Sequence, residues 1–294
     1  MSALSSTGRI VLSRKGFFNV ENGGTVCICK AATRLRLEKK EPLCGDIAEF
    51  TDNGDGTGFI TGLLPRRNCF PRPKVANADV LCIVAAVTDP EPDLFSIDKL
   101  TCLGVLNGVE TVIVLNKCDL GDCSPMRDIY SSCGFRVFRT SAEGGDTALL
   151  RGYLAGRITV FAGASGVGKS TLLNRLYPQH EAQTGDISDR IKRGKNTTRH
   201  TELFPTGDGG HIADTPGFSA LDIEDVGLFS SDTLTDAFPE FTPFVNECRF
   251  RGCGHTKEIG CAVRNAVERG IIPASRHESY VKLFGLLKNK TPNR

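Results

Sequence analysis

Short alternating stretches open the chain. Between Gly8 and Leu64, apolar and polar positions alternate over Arg9–Ser13, Thr25–Lys30, Asp46–Thr51 and Gly58–Leu64, separated by turn-forming runs such as Asn22-Gly23-Gly24 and Asp52-Asn53-Gly54-Asp55-Gly56. Strands this short and this many predict a small OB-like β-barrel, a fold often used on nucleic acids. Arg66 to Pro73, with two prolines and dense charge, suits neither helix nor central strand and predicts a linker. Beyond it the texture changes. Val80–Val87, Thr111–Leu115, Arg136–Arg139 and Ile158–Ala162 are bounded by loops and alternate with helix-length segments, which predicts a mostly parallel sheet with flanking helices. Ala262–Arg269 and Ser275–Leu287 read as amphipathic helices.

Composition narrows the class. No secretory pattern stands at Met1 to Arg9, and the longest apolar run, Val80–Val87, is far shorter than the roughly 20 residues of a membrane helix. A cytoplasmic protein with no membrane partner is expected, and with all its motifs in one chain a monomer is the default. The 12 cysteines are then reduced or metal-bound and not paired as disulfides. Net charge is +2, but residues 1–68 carry 10 basic and 7 acidic side chains and residues 245–294 carry 10 and 4, leaving 16 and 23 for the middle. Basic ends around an acidic centre suit flanks that touch nucleic acid. In the first flank, Lys30, Arg34, Arg36, Lys39 and Lys40 could track a phosphate backbone.

Gly163-Ala164-Ser165-Gly166-Val167-Gly168-Lys169-Ser170, followed by Thr171, fits a phosphate loop that leaves the strand Ile158–Ala162 and opens a helix. Its glycines let backbone amides reach phosphates, Lys169 reaches the outer phosphates, and the Ser170 hydroxyl ligates magnesium. Asn116-Lys117-Cys118-Asp119 follows the strand Thr111–Leu115. The Asp119 carboxylate can accept from the ring NH and amino group of guanine together, a donor pair adenine lacks. Thr140-Ser141-Ala142 follows the next strand and matches the loop whose backbone amide reads the guanine oxygen. Asn116, Lys117, Asp119, Ser141 and Ala142 are therefore the expected base-binding residues.

The order of these motifs is unusual, because the base-reading loops precede the phosphate loop. A GTPase domain written this way is circularly permuted, a rewiring that nearby surface termini tolerate. Asp214-Thr215-Pro216-Gly217 fits the magnesium-side switch. In the basic segment from Arg190 to Thr198, Thr197 or Thr198 could complete the metal's coordination. Lys169, Thr197, Thr198, Asp214 and Gly217 are the expected catalytic set. Phe218 stands where many GTPases have a water-orienting glutamine, so slow intrinsic hydrolysis accelerated by a partner is expected.

Cys248, Cys253, His255 and Cys261 form C-x4-C-x-H-x5-C, a closed ligand set that predicts one structural zinc ion. Arg249, Arg251 and Lys257 between the ligands would face phosphates.

Taken together, these motifs resemble the RsgA (YjeQ) family of circularly permuted GTPases over nearly the whole chain. The resemblance implies an OB-like domain at 1–68, a permuted GTPase domain at 69–226 and a zinc-binding helical domain at 227–294. It also implies GTP/GDP with magnesium at Gly163–Ser170, a partner in the small ribosomal subunit and its rRNA, and hydrolysis stimulated by that subunit and coupled to release. This sequence has Asn196 where family members often place a histidine before the paired threonines, and Gly166 where potassium-activated GTPases carry asparagine. Two other readings stay open: an RNA-binding adaptor in which GTP only sets conformation, and a GTPase acting on another RNA.

Overall fold

The computed structural model describes residues 5–38, 40–71, 74–142, 144–178, 201–214 and 230–290. Two compact units emerge from the chain's internal packing. The first comprises Met1–Val80, Arg151–Phe161 and Ser170–Phe218, and the second Leu81–Leu150, Ala162–Lys169 and Ser219–Arg294.

In the first unit, β1 (Ser5–Arg14), β2 (Phe17–Asn22), β3 (Thr25–Ala31), β4 (Ile47–Asp52) and β5 (Thr57–Leu63) close into a barrel in the order β1-β2-β3-β5-β4. Closure is possible because β1 is long enough to serve two neighbours. Its first half pairs with β4, Ser5 to Thr51 through Arg9 to Ile47, and its second with β2, Arg9 to Glu21 through Arg14 to Phe17. Each barrel strand thereby pairs with another on either side over part of its length. The alternation anticipated four of these strands, and Phe17–Asn22 is the fifth. Ile10, Phe18, Val20, Cys27, Cys29, Ala48, Phe50 and Ile60 fill the interior. Gly58 lets β5 close, since a Cβ there would lie 2.2 Å from Thr51 O, 3.0 Å from Cys27 Sγ and 3.2 Å from Cys29 Sγ.

The expected linker is tied down. Cys69–Pro71 (β6) and Lys74–Ala76 (β7) pair as a two-stranded ribbon. Arg66 donates to both carboxylate oxygens of the fully buried Asp46 at 2.7 Å, and Arg67 meets Asp79 at 2.7 Å. Charge that marks the stretch as a linker in sequence is, at Arg66 and Arg67, paired across the chain.

The first unit also holds β12 (Ile158–Ala162) parallel to β14 (His211–Asp214), with Val160 opposite Ala213. β13 (Thr201–Pro205) runs antiparallel between β14 and barrel strand β1.

In the second unit, β8 (Val80–Ala86), β9 (Glu110–Asn116), β10 (Arg136–Ser141) and the short β11 (Gly144–Gly145) stand side by side, with β9 and β10 parallel. Every residue of β8 is buried, which is why it reads as one apolar run. The helix Leu94–Leu106 is capped by Asp93, which accepts from Phe95 N and Ser96 N at 3.1 and 3.3 Å. Residues 230–290 add short 3-10 turns and two helices, Ala262–Glu268 and Ala274–Lys290. Phe238, Phe241, Val263, Tyr280 and Leu283 form their core together with Cys102 of the Leu94–Leu106 helix.

Candidate nucleotide site and metal cluster

β9 delivers Asn116 almost fully buried at its carboxyl end, where open α/β sheets bind ligands. Its Nδ2 donates to Val167 O of the phosphate loop at 2.9 Å, and its Oδ1 accepts from Thr140 Oγ1 at 3.0 Å. One amide thus joins three loops that lie apart in sequence. Thr140 Oγ1 also donates to Leu115 O at 3.4 Å, and Cys118 N donates to Thr140 O at 3.1 Å, so the two base-reading loops share a backbone bond as well. Lys117 takes a left-handed backbone, φ +60°, and its Nζ donates to Asp89 O. Asp119 is exposed beyond it, and Ser141 and Ala142 follow directly from Thr140.

The phosphate loop is shaped by close approach. A Cβ on Gly168 would lie 2.4 Å from Asn116 Nδ2, and one on Gly163 2.1 Å from Val84 O. Ala164, Ser165 and Gly166 are exposed while Val167 is buried, which anchors the loop and leaves its rim open. Lys169 Nζ donates to Gly163 O at 2.7 Å and Ala164 O at 2.6 Å, and burial pulls its ammonium below the usual lysine range. A partly desolvated ammonium beside the exposed rim of a glycine-rich loop is suited to an anion. Ser170 and Thr171 sit in the first turn of the helix Lys169–Leu176. Asp214 ends β14, one residue past the Val160–Ala213 pair. Thr197, Thr198, Gly217 and Phe218 lie outside the described residues.

Cys248, Cys253, His255 and Cys261 bring their ligand atoms within 4.8 Å of one another. Tetrahedral zinc with ordinary bond lengths needs S···S of about 3.8 Å and S···N of about 3.5 Å. Cys248 and Cys261 sulfurs are 4.0 Å apart, and His255 Nδ1 lies 3.6 and 3.5 Å from them. Donor set and spacing both fit zinc. Burial pushes the Cys253 thiol up to about 12, raises Cys261 and lowers His255. Thiolates there need a cation to balance them.

Supporting groups invisible in the motif hold this cluster. Glu258 accepts from Gly254 N, Thr256 N and Lys257 N at 3.1, 2.9 and 3.0 Å; burial raises its carboxyl, but those bonds outweigh it and the net shift is downward. His277 Nε2 meets His255 O at 2.7 Å, and Tyr280 OH donates to Gly254 O at 3.1 Å. Arg249, Arg251 and Lys257 are exposed around it. Deeper, the fully buried Arg276 donates to Asp98 at 2.7 Å, Thr101 Oγ1 at 2.9 Å and Glu240 at 2.7 Å, tying the last helix to the Leu94–Leu106 helix.

Comparison with known proteins agrees in extent. A family model described as RsgA GTPase matches residues 63–224, and one described as RsgA N-terminal domain matches residues 7–60. The small ribosomal subunit biogenesis GTPase RsgA of Moorella thermoacetica is 42% identical over 93% of this chain and 94% of its own length. Its namesake in Alkaliphilus metalliredigens is 40% identical over 96% and 98%. Among solved structures, YjeQ from Thermotoga maritima superposes with a TM-score of 0.83 at 35% identity, covering 98% of this chain and all of that one. YloQ, described as a circularly permuted GTPase, gives 0.79 at 30% identity, covering 99% and 98%.

Proposed function

We propose, since this chain belongs to the RsgA GTPase family, that it hydrolyses GTP during maturation of the small ribosomal subunit, engages rRNA through its flanking segments and couples hydrolysis to release. The observation that carries the residue-level reading is Asn116, whose one side chain locks the phosphate loop to both base-reading loops. The functional divisions are residues 1–68, 69–226 and 227–294, acting in the cytoplasm as a monomer.

In this reading Asp119 accepts from the ring NH and amino group of guanine, and the backbone after Thr140, at Ser141 and Ala142, meets its carbonyl. Asn116 and Lys117 hold that geometry, the lysine by bracing the loop at Asp89. Amides of Gly163 to Ser170 line the phosphates. Lys169, which pairs with no carboxylate among the described residues and is partly desolvated, exchanges two backbone carbonyls for the outer phosphate oxygens and stabilises the charge that builds as water attacks in line. Ser170, Asp214 and one of Thr197 and Thr198 would hold magnesium, which would supply positive charge against the developing phosphate charge. Gly217, which closes the Asp214–Gly217 switch motif, completes the proposed catalytic set. Zinc at Cys248, Cys253, His255 and Cys261 would be structural, with every protein ligand position filled.

The test is the GTPase rate of the protein alone and with purified small subunits, with Asp119→Asn as specificity control. Strong stimulation by small but not large subunits, and lost GTP preference in the variant, is the expected result. A rate indifferent to small subunits overturns the ribosome-coupled reading.

A further inference from the structure

The outer face of the barrel carries side chains that its packing does not require. Alternation along β3 and β5 sends Cys27, Cys29 and Ile60 inward and leaves Ile28, Lys30 and Phe59 on the solvent side. Phe17, Ile28 and Phe59 are 47%, 50% and 48% exposed. Register pairs Phe17 with Lys30 and Lys30 with Phe59, so the three form one row across β2, β3 and β5. Lys30 Nζ stands 5.0 Å from the centroid of the Phe17 ring. The β1–β2 turn adds Arg14, opposite Phe17 in register, and Lys15, both exposed. Among the described residues no carboxylate pairs with Arg14, Lys15 or Lys30. Asp52 and Asp55 lie toward the Thr57 end, where Gly54 N and Thr57 already engage their carboxylates at 2.7 and 2.6 Å.

From this juxtaposition we infer that Phe17 and Phe59 form a stacking platform for unpaired RNA bases, with Lys30 between them and Arg14 and Lys15 at the side holding the phosphate backbone. The inference rests on the proposed RNA partner and specifies which part of an RNA this face takes. Every base has a π-face, so exposed rings bind single strands with little regard to sequence, while neighbouring cations track the backbone. Phe17 and Phe59 stand two strand spacings apart, about 10 Å, so each ring takes its own base. In a duplex those faces are covered by stacked neighbours and are closed to the rings. A protein partner fits less well, because protein interfaces exclude lysine from their centre and here a lysine is the centre of the row.

The experiment measures affinity of the full-length protein for a short labelled single-stranded oligoribonucleotide and for the same sequence as a duplex, over a range of salt. Phe17→Ala and Phe59→Ala are each expected to weaken single-strand binding about tenfold, with the salt dependence unchanged. Phe17→Tyr keeps the ring and should keep the affinity. Lys30→Met should weaken binding and flatten its salt dependence. Duplex binding should ignore both alanine changes. Single-strand affinity within about twofold of wild type in both alanine variants, or equal losses on duplex, overturns the platform. So does Phe17- and Phe59-dependent capture of RNA-free small-subunit proteins with single-strand binding untouched. Subunit-stimulated GTP hydrolysis by the wild type, read alongside, separates the two proposals. An unstimulated enzyme whose RNA binding still needs the rings loses the ribosomal reading and keeps the platform; a stimulated enzyme whose RNA binding ignores them loses only the platform.

Discussion

The barrel at the amino end and the segment 230–290 at the carboxyl end are both small, and they are held together by different means. The barrel closes its backbone: each of its five strands pairs with two others of the barrel, and its interior is apolar side chains and thiols. In segment 230–290 short turns and two helices gather around a four-ligand cluster and one buried arginine. A closed ladder spreads its stabilisation over many equivalent bonds, whereas a ligand cluster concentrates it in a few atoms. Single side-chain changes should therefore be severe at the carboxyl end and mild in the barrel, unless they touch the barrel's backbone.

The largest expected effect is at the cluster. Cys261→Ser removes a ligand and also the sulfur that caps the helix Ala262–Glu268 by accepting from Arg264 N. Metal-coupled folding at such sites is on the order of 10 kcal/mol, enough to unfold the surrounding segment. The proposed zinc, one per chain, should be lost, and amides of 230–290 should exchange rapidly while barrel amides stay protected. Retained zinc with unchanged exchange in 230–290 would remove the contrast.

Next in size is Arg276→Met. It leaves Asp98 and Glu240 buried without their cation, at a cost of about 3–5 kcal/mol in urea unfolding. The triple variant Asp98→Asn, Glu240→Gln, Arg276→Met removes all three charges and should regain most of that loss. A triple no better than the single would show that the guanidinium acts through packing on Phe238, whose ring centroid lies 4.6 Å away, more than through charge.

This network also marks where sequence reading stops. The phosphate loop, the Asn116–Asp119 loop and the cysteine cluster stood out as candidate sites because the chemistry proposed for them is local, and the structure brings the two loops together at Asn116 and the four ligand atoms within 4.8 Å of one another. Arg276 and Asp98 lie 178 residues apart, and neither neighbourhood signals the other. Arg66 and Asp46, 20 residues apart, turned an expected linker into an anchored joint for the same reason. β2 escaped because Phe17 and Phe18 begin it side by side and blur the alternation, although only Phe18 and Val20 point inward. In β3 the larger Val26 and Ile28 face out while Cys27 and Cys29 face in, a choice set by the narrow barrel interior at Gly58 and not by hydrophobicity.

That interior supplies the smallest and sharpest test. Gly58→Ala would set a methyl 2.2 Å from Thr51 O and should cost about 1–3 kcal/mol, read as faster exchange across β4 and β5. Adding Cys27→Ala clears the nearer sulfur, at 3.0 Å, but leaves the carbonyl, so the double variant should regain little. The carbonyl cannot move aside without opening the ladder between Asp52 and Gly58. Rescue by a second side chain is thus expected around Arg276, where the obstacle is a charge, and refused at Gly58, where it is the backbone. Full rescue by Cys27→Ala would mean that the barrel, like the carboxyl end, is governed by its side chains.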